Sequence, residues 1–278
     1  MYPDVLAVFS NTGQEYPEIQ KHVKSFDNVK IIRPEKNFLK VIEEDGYPVI
    51  SKEVSEVIEN ARRYEARHDG AKTSAVHKKL LGLKTDKNGN KSPYNLERYN
   101  YLMDAPFKIT SKCCNYLKKQ PFKTFEKETG LHPVTGISAQ ESILRKTNWL
   151  RHGCNNFEGT RIISHPLSVW TEQDILEYIY TFNIKLASIY GDVKKDENGK
   201  FYTTGVDRTG CMFCLFGAHR EPEPNRIQKL AKTHPNNYDF YMNKLHFNEI
   251  MEWLKIPYKP IEDNEKVDIF KDLKNTEK

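Results

Sequence analysis

The order of apolar and polar residues predicts alternating strands and helices from the beginning of the chain. An apolar run at 4–9 is typical of a buried strand, and a second short run follows at 29–32. Between these runs, Tyr16, Ile19 and Val23 recur at helical spacing. A strand, a helix and a strand within about thirty residues form the repeating unit of a parallel sheet.

Similar patterns continue along the chain. Helical periodicity covers 37–44, 51–67 and 108–119, and apolar runs at 133–137 and 161–164 are further strand candidates. The mixture of the two element types, in alternation, predicts the α/β class.

Three helix starts are marked by a hydroxyl side chain followed three residues later by a carboxylate. In such a capping box the two side chains satisfy backbone N–H groups of the first turn. The boxes are Thr12-x-x-Glu15 for a helix over 14–26, Ser138-x-x-Glu141 for a helix to about 150, and Thr171-x-x-Asp174 for a helix through 182.

We predict one α/β domain over 1–217, in which a twisted, mainly parallel sheet is flanked by helices. A helical C-terminal extension over 218–278 packs on this domain. A charged hairpin is expected at 194–200, before the last cysteines. From about residue 263 the chain is rich in Lys, Glu and Asp, which predicts a frayed tail.

Composition and charge narrow the class of protein. A chain of 278 residues with 38% hydrophobic residues can bury a full-sized core and is not compositionally disordered. No run approaches the roughly 18 apolar residues of a membrane span, and the N-terminus lacks a secretory pattern, so we expect a cytoplasmic protein with no membrane partner. The net charge of +5 supports a polyanionic partner only weakly, and a nucleotide satisfies it as well as a nucleic acid.

The five cysteines carry the strongest chemical signal. In a reducing compartment, spaced cysteines indicate metal binding or catalysis more often than disulfides. Cys211 and Cys214 form a C-x-x-C pair between glycines, and this gap lets both thiolates reach one metal centre. Taken alone, the pair is equally consistent with a zinc site, a redox pair or no shared role.

The adjacent cysteines Cys113 and Cys114 change this balance. Neighbouring side chains on a helix diverge by about 100°, which suits the separate iron corners of a cubane better than one tetrahedral ion. The alternative is that both thiols pack in the core. With Cys211 and Cys214 the pair predicts a 4Fe-4S cluster, with zinc as the alternative metal. Cys154 stands apart and is expected to be structural.

This cysteine layout resembles that of the cluster-binding adenylyl-sulfate reductases in the phosphoadenosine phosphosulfate (PAPS) reductase family. Three other segments resemble the family in the same order along the chain. They are 9–18 (FSNTGQEYPE), 136–145 (GISAQESILR) and 165–174 (HPLSVWTEQD).

The resemblance implies an adenine nucleotide alpha-hydrolase-like fold and a cleft for an adenine nucleotide or sulfonucleotide. It implies a sulfonucleotide reductase-family function with an iron–sulfur cluster. One alternative is ATP-dependent sulfur transfer to a nucleic acid, as in other cluster-bearing relatives. A second alternative is a non-catalytic, degenerate subunit that needs a partner chain.

The resemblance also suggests nucleotide-site residues. Thr12 and Gly13 are similar to the turn that faces the nucleotide, although Thr12 also suits a helix cap. Arg145 suits a phosphate or sulfate because its guanidinium binds such groups bidentately. Glu141 belongs to the same segment, but a capping box and an i,i+4 ion pair with Arg145 also explain it. Arg208, just before Cys211, suits a phosphate or the charge of a cluster.

The chain departs from the family pattern in two respects. The S-G-G-x-D-S phosphate loop is missing from the sequence, which leads us to expect a truncated or shortened member, or a partner chain that supplies the missing strand and loop. No cysteine follows Cys214, so the nucleophile of the family's reductases is not matched, and a competent reductase is in doubt on this count.

Overall fold

The computed structural model describes residues 4–157 and 161–261. The predicted charged tail from residue 263 lies outside the described residues. The strands are β1 (Ala7–Ser10), β2 (Val29–Ile32), β3 (Val49–Ile50), β4 (Asn155–Asn156), β5 (Ile163–Ser164), β6 (Val193–Lys195), β7 (Phe201–Thr203) and β8 (Leu215–Phe216).

Helices make up more of the fold than strands. The α-helices are α1 (Pro17–Val23), α2 (Phe38–Asp45), α3 (Lys52–Arg67), α4 (Ala75–Leu80), α5 (Gln120–Thr129), α6 (Ile143–His152), α7 (Glu172–Thr181), α8 (Arg226–Thr233), α9 (Pro235–Asp239) and α10 (Phe247–Trp253). Short 3-10 or π-helical segments are Glu97–Asp104, Asn115–Lys119, Ala139–Glu141, Ser188–Tyr190, Ala218–Arg220 and Phe240–Lys244.

The strand pairing confirms the predicted α/β class. Strands β1 and β2 are parallel, with Ala7 opposite Val29, and β3 and β8 are parallel, with Val49 opposite Leu215. Strands β4 and β5 pair antiparallel. Strands β6 and β7 also pair antiparallel, and they form the predicted charged hairpin.

The described residues group into two compact units. The first unit comprises residues 4–38 and 113–212, and the second comprises 39–112 and 213–261. This grouping differs from the predicted division at residue 217. The physical reason is that β8 pairs in parallel with β3, so the segment after Met212 belongs with residues 39–112.

Helix α3 organises the core of the second unit. Its apolar face buries Val54, Ile58 and Ala61, as the periodicity of 51–67 predicts. On the same helix, the Ser55 hydroxyl donates to the Val49 carbonyl (2.7 Å) and accepts from the Val49 N–H (3.1 Å). These two hydrogen bonds connect α3 to β3, and they also satisfy the hydroxyl group of the fully buried Ser55.

Helix α1 begins later than the sequence predicts. Glu15 accepts a hydrogen bond from the Thr12 N–H (3.1 Å), but these two residues close a turn that precedes the helix. The chain enters the left-handed region at Gly13 (φ 74°), and Pro17 occupies the first helical turn. A proline fits there because its missing N–H would lack an intrahelical partner anyway.

Two other predicted elements are shorter than expected. Residues 108–110 are extended rather than helical, because the Tyr47 N–H donates to the Lys108 carbonyl (2.9 Å) and the Thr110 N–H donates to the Tyr47 carbonyl (3.0 Å). The predicted strand at 133–137 is reduced to one parallel bridge between Val134 and Ser164. Among the described residues, no helix is long and apolar enough to cross a membrane.

Candidate functional site

Three distant segments meet in the first unit around the predicted cysteine site. The Ser10 hydroxyl, at the end of β1, donates to the Leu117 carbonyl (2.9 Å). The Met212 N–H donates to the Gln14 carbonyl (2.9 Å). The turn after β1 therefore lies beside the helix that carries the adjacent cysteines and beside the start of the C-x-x-C motif.

The adjacent cysteines lie at the start of this helix. Cys113 is buried, Cys114 is partly exposed, and their Sγ atoms are 4.0 Å apart. A tetrahedral zinc ion with Zn–S bonds of about 2.3 Å holds two sulfurs about 3.8 Å apart. The observed separation is thus compatible with one ion as well as a cluster, and the divergence argument from the sequence does not distinguish them.

Lys118 supplies positive charge next to the thiols. It follows Cys114 by one helical turn and is half-buried. Burial lowers the pKa of its ammonium group, but the charges of Cys211, Glu15 and Cys114 outweigh burial and raise the pKa above its usual value. A protonated lysine therefore interacts with two of the predicted ligands, Cys114 and Cys211, and with Glu15 in the turn after β1.

Thiolates are donors of the type that metals and iron–sulfur clusters take, but the four predicted ligands are divided between the two units. Cys113, Cys114 and Cys211 belong to the first unit, and Cys214 is the second residue of the second unit. None of the five cysteines forms a disulfide within the described chain. Over the same residues, no group of three or more His, Cys, Asp or Glu side chains has the arrangement of a metal site.

In the turn predicted to face the nucleotide, Thr12 is hydrogen-bonded within the turn and Gly13 is exposed. The Thr12 hydroxyl is buried, donates to Glu15 Oε1 (2.5 Å) and accepts from the Gln14 N–H (3.1 Å). Gly13 is exposed, and a Cβ atom placed on it would meet nothing within 4 Å. Thr12 therefore supports the turn, and the backbone at Gly13 is accessible to a ligand.

A cavity of about 650 Å³ in the first unit brings two other predicted residues together. Glu141 and Arg208 both line it, although 66 residues separate them in sequence. The apolar wall comes from α7, and the rest is mostly polar. The other lining residues are Ser138, Gln140, Glu172, Ile175, Leu176, Ile179, Leu186, Tyr190, Thr203, Asp207 and Thr209.

Hydrogen bonds join several of the lining residues to one another. The Ser138 N–H donates to Glu141 Oε1 (3.0 Å), so the predicted capping box forms, but it caps the 3-10 segment Ala139–Glu141. The predicted helix, α6, begins only at Ile143 and is capped by Ser142. The hydroxyls of two other lining residues, Tyr190 and Thr209, are 2.5 Å apart. Thr209 is two residues before Cys211, so the cavity wall continues directly into the cysteine motif.

Arg145 lies outside this cavity but is linked to it. Its guanidinium pairs with Glu141, as the i,i+4 spacing predicts, and it lines a second, smaller cavity of about 320 Å³ with Trp149 and His165. Burial, together with the charges of Arg161 and Arg145, lowers the pKa of His165. The structure thus brings Glu141 and Arg208 to one cavity, whereas Arg145 pairs with Glu141 and lines a different cavity.

Sequence reasoning missed several residues of this region. Lys118 carries a weak signal, because it lies four residues after Cys114 on a predicted helix. Tyr190, Glu172 and Asp207 carry none, because only the tertiary fold brings α7 and the segment before Cys211 to one cavity.

Comparison with known protein families identifies a match over the middle of the chain. Residues 50–215 match the model of the phosphoadenosine phosphosulfate reductase domain, which is more than half of the chain. The chain belongs to the PAPS reductase family. Membership implies the adenine nucleotide alpha-hydrolase fold, in agreement with the parallel strand pairs of the α/β structure. The matched span includes all four predicted ligands and begins after the segment at 9–18.

A comparison with curated proteins finds no match.

Proposed function

We propose that this family member binds an adenine nucleotide or sulfonucleotide in the 650 Å³ cavity and holds a 4Fe-4S cluster next to it. The observation that supports this most is that Glu141 and Arg208 line the same cavity. The segment that carries Arg208 and Thr209 leads into Cys211, so a nucleotide in the cavity lies near the cysteine motif.

The cavity offers suitable chemistry to each part of such a ligand. The α7 side chains Ile175, Leu176 and Ile179 provide an apolar surface for the adenine ring. Arg208 provides a planar donor for the phosphate or sulfate group. Carboxylates such as Glu172 accept hydrogen bonds from ribose hydroxyls, as acidic residues do in other nucleotide-binding folds.

The cluster belongs to the cysteines of the two motifs, Cys113, Cys114, Cys211 and Cys214. Such a cluster supplies one-electron chemistry, or a fixed charge, at the edge of the nucleotide site. In this proposal, Lys118 offsets the negative charge of the thiolates, because its ammonium group already interacts with Cys211 and Cys114. We assign no step of sulfur reduction to any residue.

An alternative activity, ATP-dependent sulfur transfer to a nucleic acid, is favoured by the charge of α6. This helix contains Arg145, Lys146 and Arg151 and no carboxylate. Sulfur transfer to a nucleic acid requires that the protein binds the nucleic acid. This binding should weaken with added salt, because phosphate contacts release counterions.

A partner chain that adds a strand is also part of the proposal. Among the described residues, β1 pairs with β2 and with no other strand. An unpaired strand edge is a template for a further strand, and Val5 and Leu6, just before β1, are exposed.

The nucleotide site is tested by titrating adenylyl sulfate, ATP and a nucleoside control into the protein by calorimetry. An Arg208→Gln substitution removes a charge-assisted hydrogen bond of about 1.5–3 kcal/mol, so we expect roughly a tenfold to hundredfold loss of affinity for adenylyl sulfate. Arg63→Gln is the matched control, because Arg63 pairs with Glu59 on the surface of α3. Equal affinity in wild type and Arg208→Gln would contradict the assignment of the cavity.

A further inference from the structure

His219 is an unexplained polar group in the second unit. It lies in the short 3-10 segment Ala218–Arg220, five residues after Cys214. Both ring nitrogens are buried, and neither has a hydrogen-bond partner among the described residues. An unpaired buried polar atom costs about 1–3 kcal/mol, so native structures rarely leave one without a ligand or a water.

The surroundings of His219 are cationic. The rings of His219 and Tyr99 form a T-shaped pair, with centroids 6.3 Å apart and planes at 88°. The guanidinium of Arg98 lies 4.8 Å from the centroid of the same Tyr99 ring. Burial and the positive charges of Arg220 and Arg98 hold the pKa of His219 below its ordinary value.

The neighbouring carboxylates do not neutralise these arginines. Glu97 pairs with Lys91, and Glu221 pairs with Arg226. Neither Arg98 nor Arg220 has an ion pair within 4–157 and 161–261, and both are exposed. The group therefore consists of an imidazole with unused nitrogens and two exposed guanidinium groups whose positive charges act on it.

We propose that His219, Arg98 and Arg220 form a binding site for an oxyanion, namely a phosphate or sulfate group. The imidazole N–H donates to one oxygen of the group, and the guanidinium groups supply charge-assisted hydrogen bonds. A cation is disfavoured at this point, because two fixed positive charges repel it. The residues of this group belong to the second unit, whereas Arg208 and the cavity that it lines belong to the first.

The test uses the whole chain and sodium sulfate as the probe. The ring ¹⁵N signals of His219 are followed by NMR while sulfate is added, and sodium chloride at matched ionic strength is the reference. We expect sulfate to shift these signals saturably and to raise the pKa of His219, because a bound anion favours the imidazolium. Shifts that are equal in sulfate and chloride would overturn the proposal.

A paired substitution separates a specific site from a general salt effect. Arg98→Gln with Arg220→Gln changes only exposed side chains, so the fold should persist, and we expect at least a tenfold weaker apparent affinity for sulfate. Arg63→Gln with Arg67→Gln is the matched control and should bind sulfate like the wild type. An unchanged affinity in the Arg98/Arg220 variant would overturn the assignment even if sulfate binds elsewhere.

Two further probes identify the source of the oxyanion. Inorganic phosphate and ATP are titrated against the same His219 signals in wild type and in Arg208→Gln. Saturation by phosphate alone assigns the site to a free anion, and saturation by ATP in both proteins assigns it to a nucleotide phosphate. Loss of the ATP response in Arg208→Gln, with no response to either inorganic ion, would overturn the proposal. The His219 signals would then respond to ATP bound in the cavity lined by Arg208 and not to an anion bound at His219.

Discussion

At the residue scale, metal binding in the first unit is proposed to depend on two adjacent thiols and a nearby lysine, namely Cys113, Cys114 and Lys118. The two thiols are 4.0 Å apart, and a lysine one turn later interacts electrostatically with Cys114 and with Cys211. A neighbouring cation stabilises thiolates, which are the forms that bind metals. The same lysine favours a centre that carries net negative charge, as a cluster with four thiolate ligands does.

Metal content tests the residue-scale proposal directly. We expect protein purified without oxygen to contain about four irons per chain and to absorb broadly in the visible range, as iron–sulfur clusters do. Cys113→Ser or Cys211→Ser should lose most of the iron, because each removes one ligand. Cys154→Ser is the control and should retain it. One zinc per chain and no iron would replace the cluster with a single-ion site.

The residue-scale predictions from sequence succeeded where the contact is local. The pairing of Glu141 with Arg145 and the box at Ser138 follow from spacings of four and three residues. Thr12 behaves differently, because its hydroxyl is used inside the turn by Glu15 and Gln14. The orphan nitrogens of His219 could not be predicted, since burial without a partner is a property of the tertiary fold.

At the scale of elements, helix starts are also predicted correctly where the determining contacts are local and wrongly where other residues intervene. Thr171 caps α7 as predicted, because nothing between it and Asp174 opposes helical geometry. The similar pair at Thr12 fails to cap α1, because Gly13 adopts a positive φ and Pro17 fixes a later start. The helix predicted over 108–119 loses its first residues to the pairing with Tyr47, a contact more than sixty residues distant in sequence.

The cap of α7 can be tested because this helix forms the apolar wall of the nucleotide cavity. Thr171 Oγ1 accepts from the Asp174 N–H (3.1 Å), and Asp174 accepts from the Thr171 N–H (2.7 Å). Thr171→Ala should lower the free energy of unfolding by about 0.5–2 kcal/mol, measured by urea titration. Thr171→Ser keeps the hydroxyl and should differ little from wild type. If the alanine and serine variants are equally stable, the capping bond contributes nothing measurable.

Two histidines, one in each unit, link the stability of the whole chain to pH. His165 donates to or accepts from Thr135 Oγ1 (2.6 Å) in the first unit, and both ring nitrogens of His219 are buried in the second. Burial and nearby arginines lower the pKa of both groups below the ordinary value of 6.5. Each histidine therefore binds a proton more readily in the unfolded chain than in the folded one.

The sign of the pH effect follows from this difference in proton binding. Stability contributed by a histidine of lowered pKa is fully present above pH 6.5, and it is lost as the pH falls from there towards the folded-state pKa. We expect the free energy of unfolding, measured by urea titration in buffers free of sulfate and phosphate, to decrease from pH 7.5 to pH 5. Replacing both residues, His165→Gln and His219→Gln, should flatten this decrease, because glutamine does not titrate. His132→Gln, at an exposed position, is the control and should leave the slope unchanged. If the double variant keeps the slope of the wild type, the pH dependence comes from groups other than these two imidazoles.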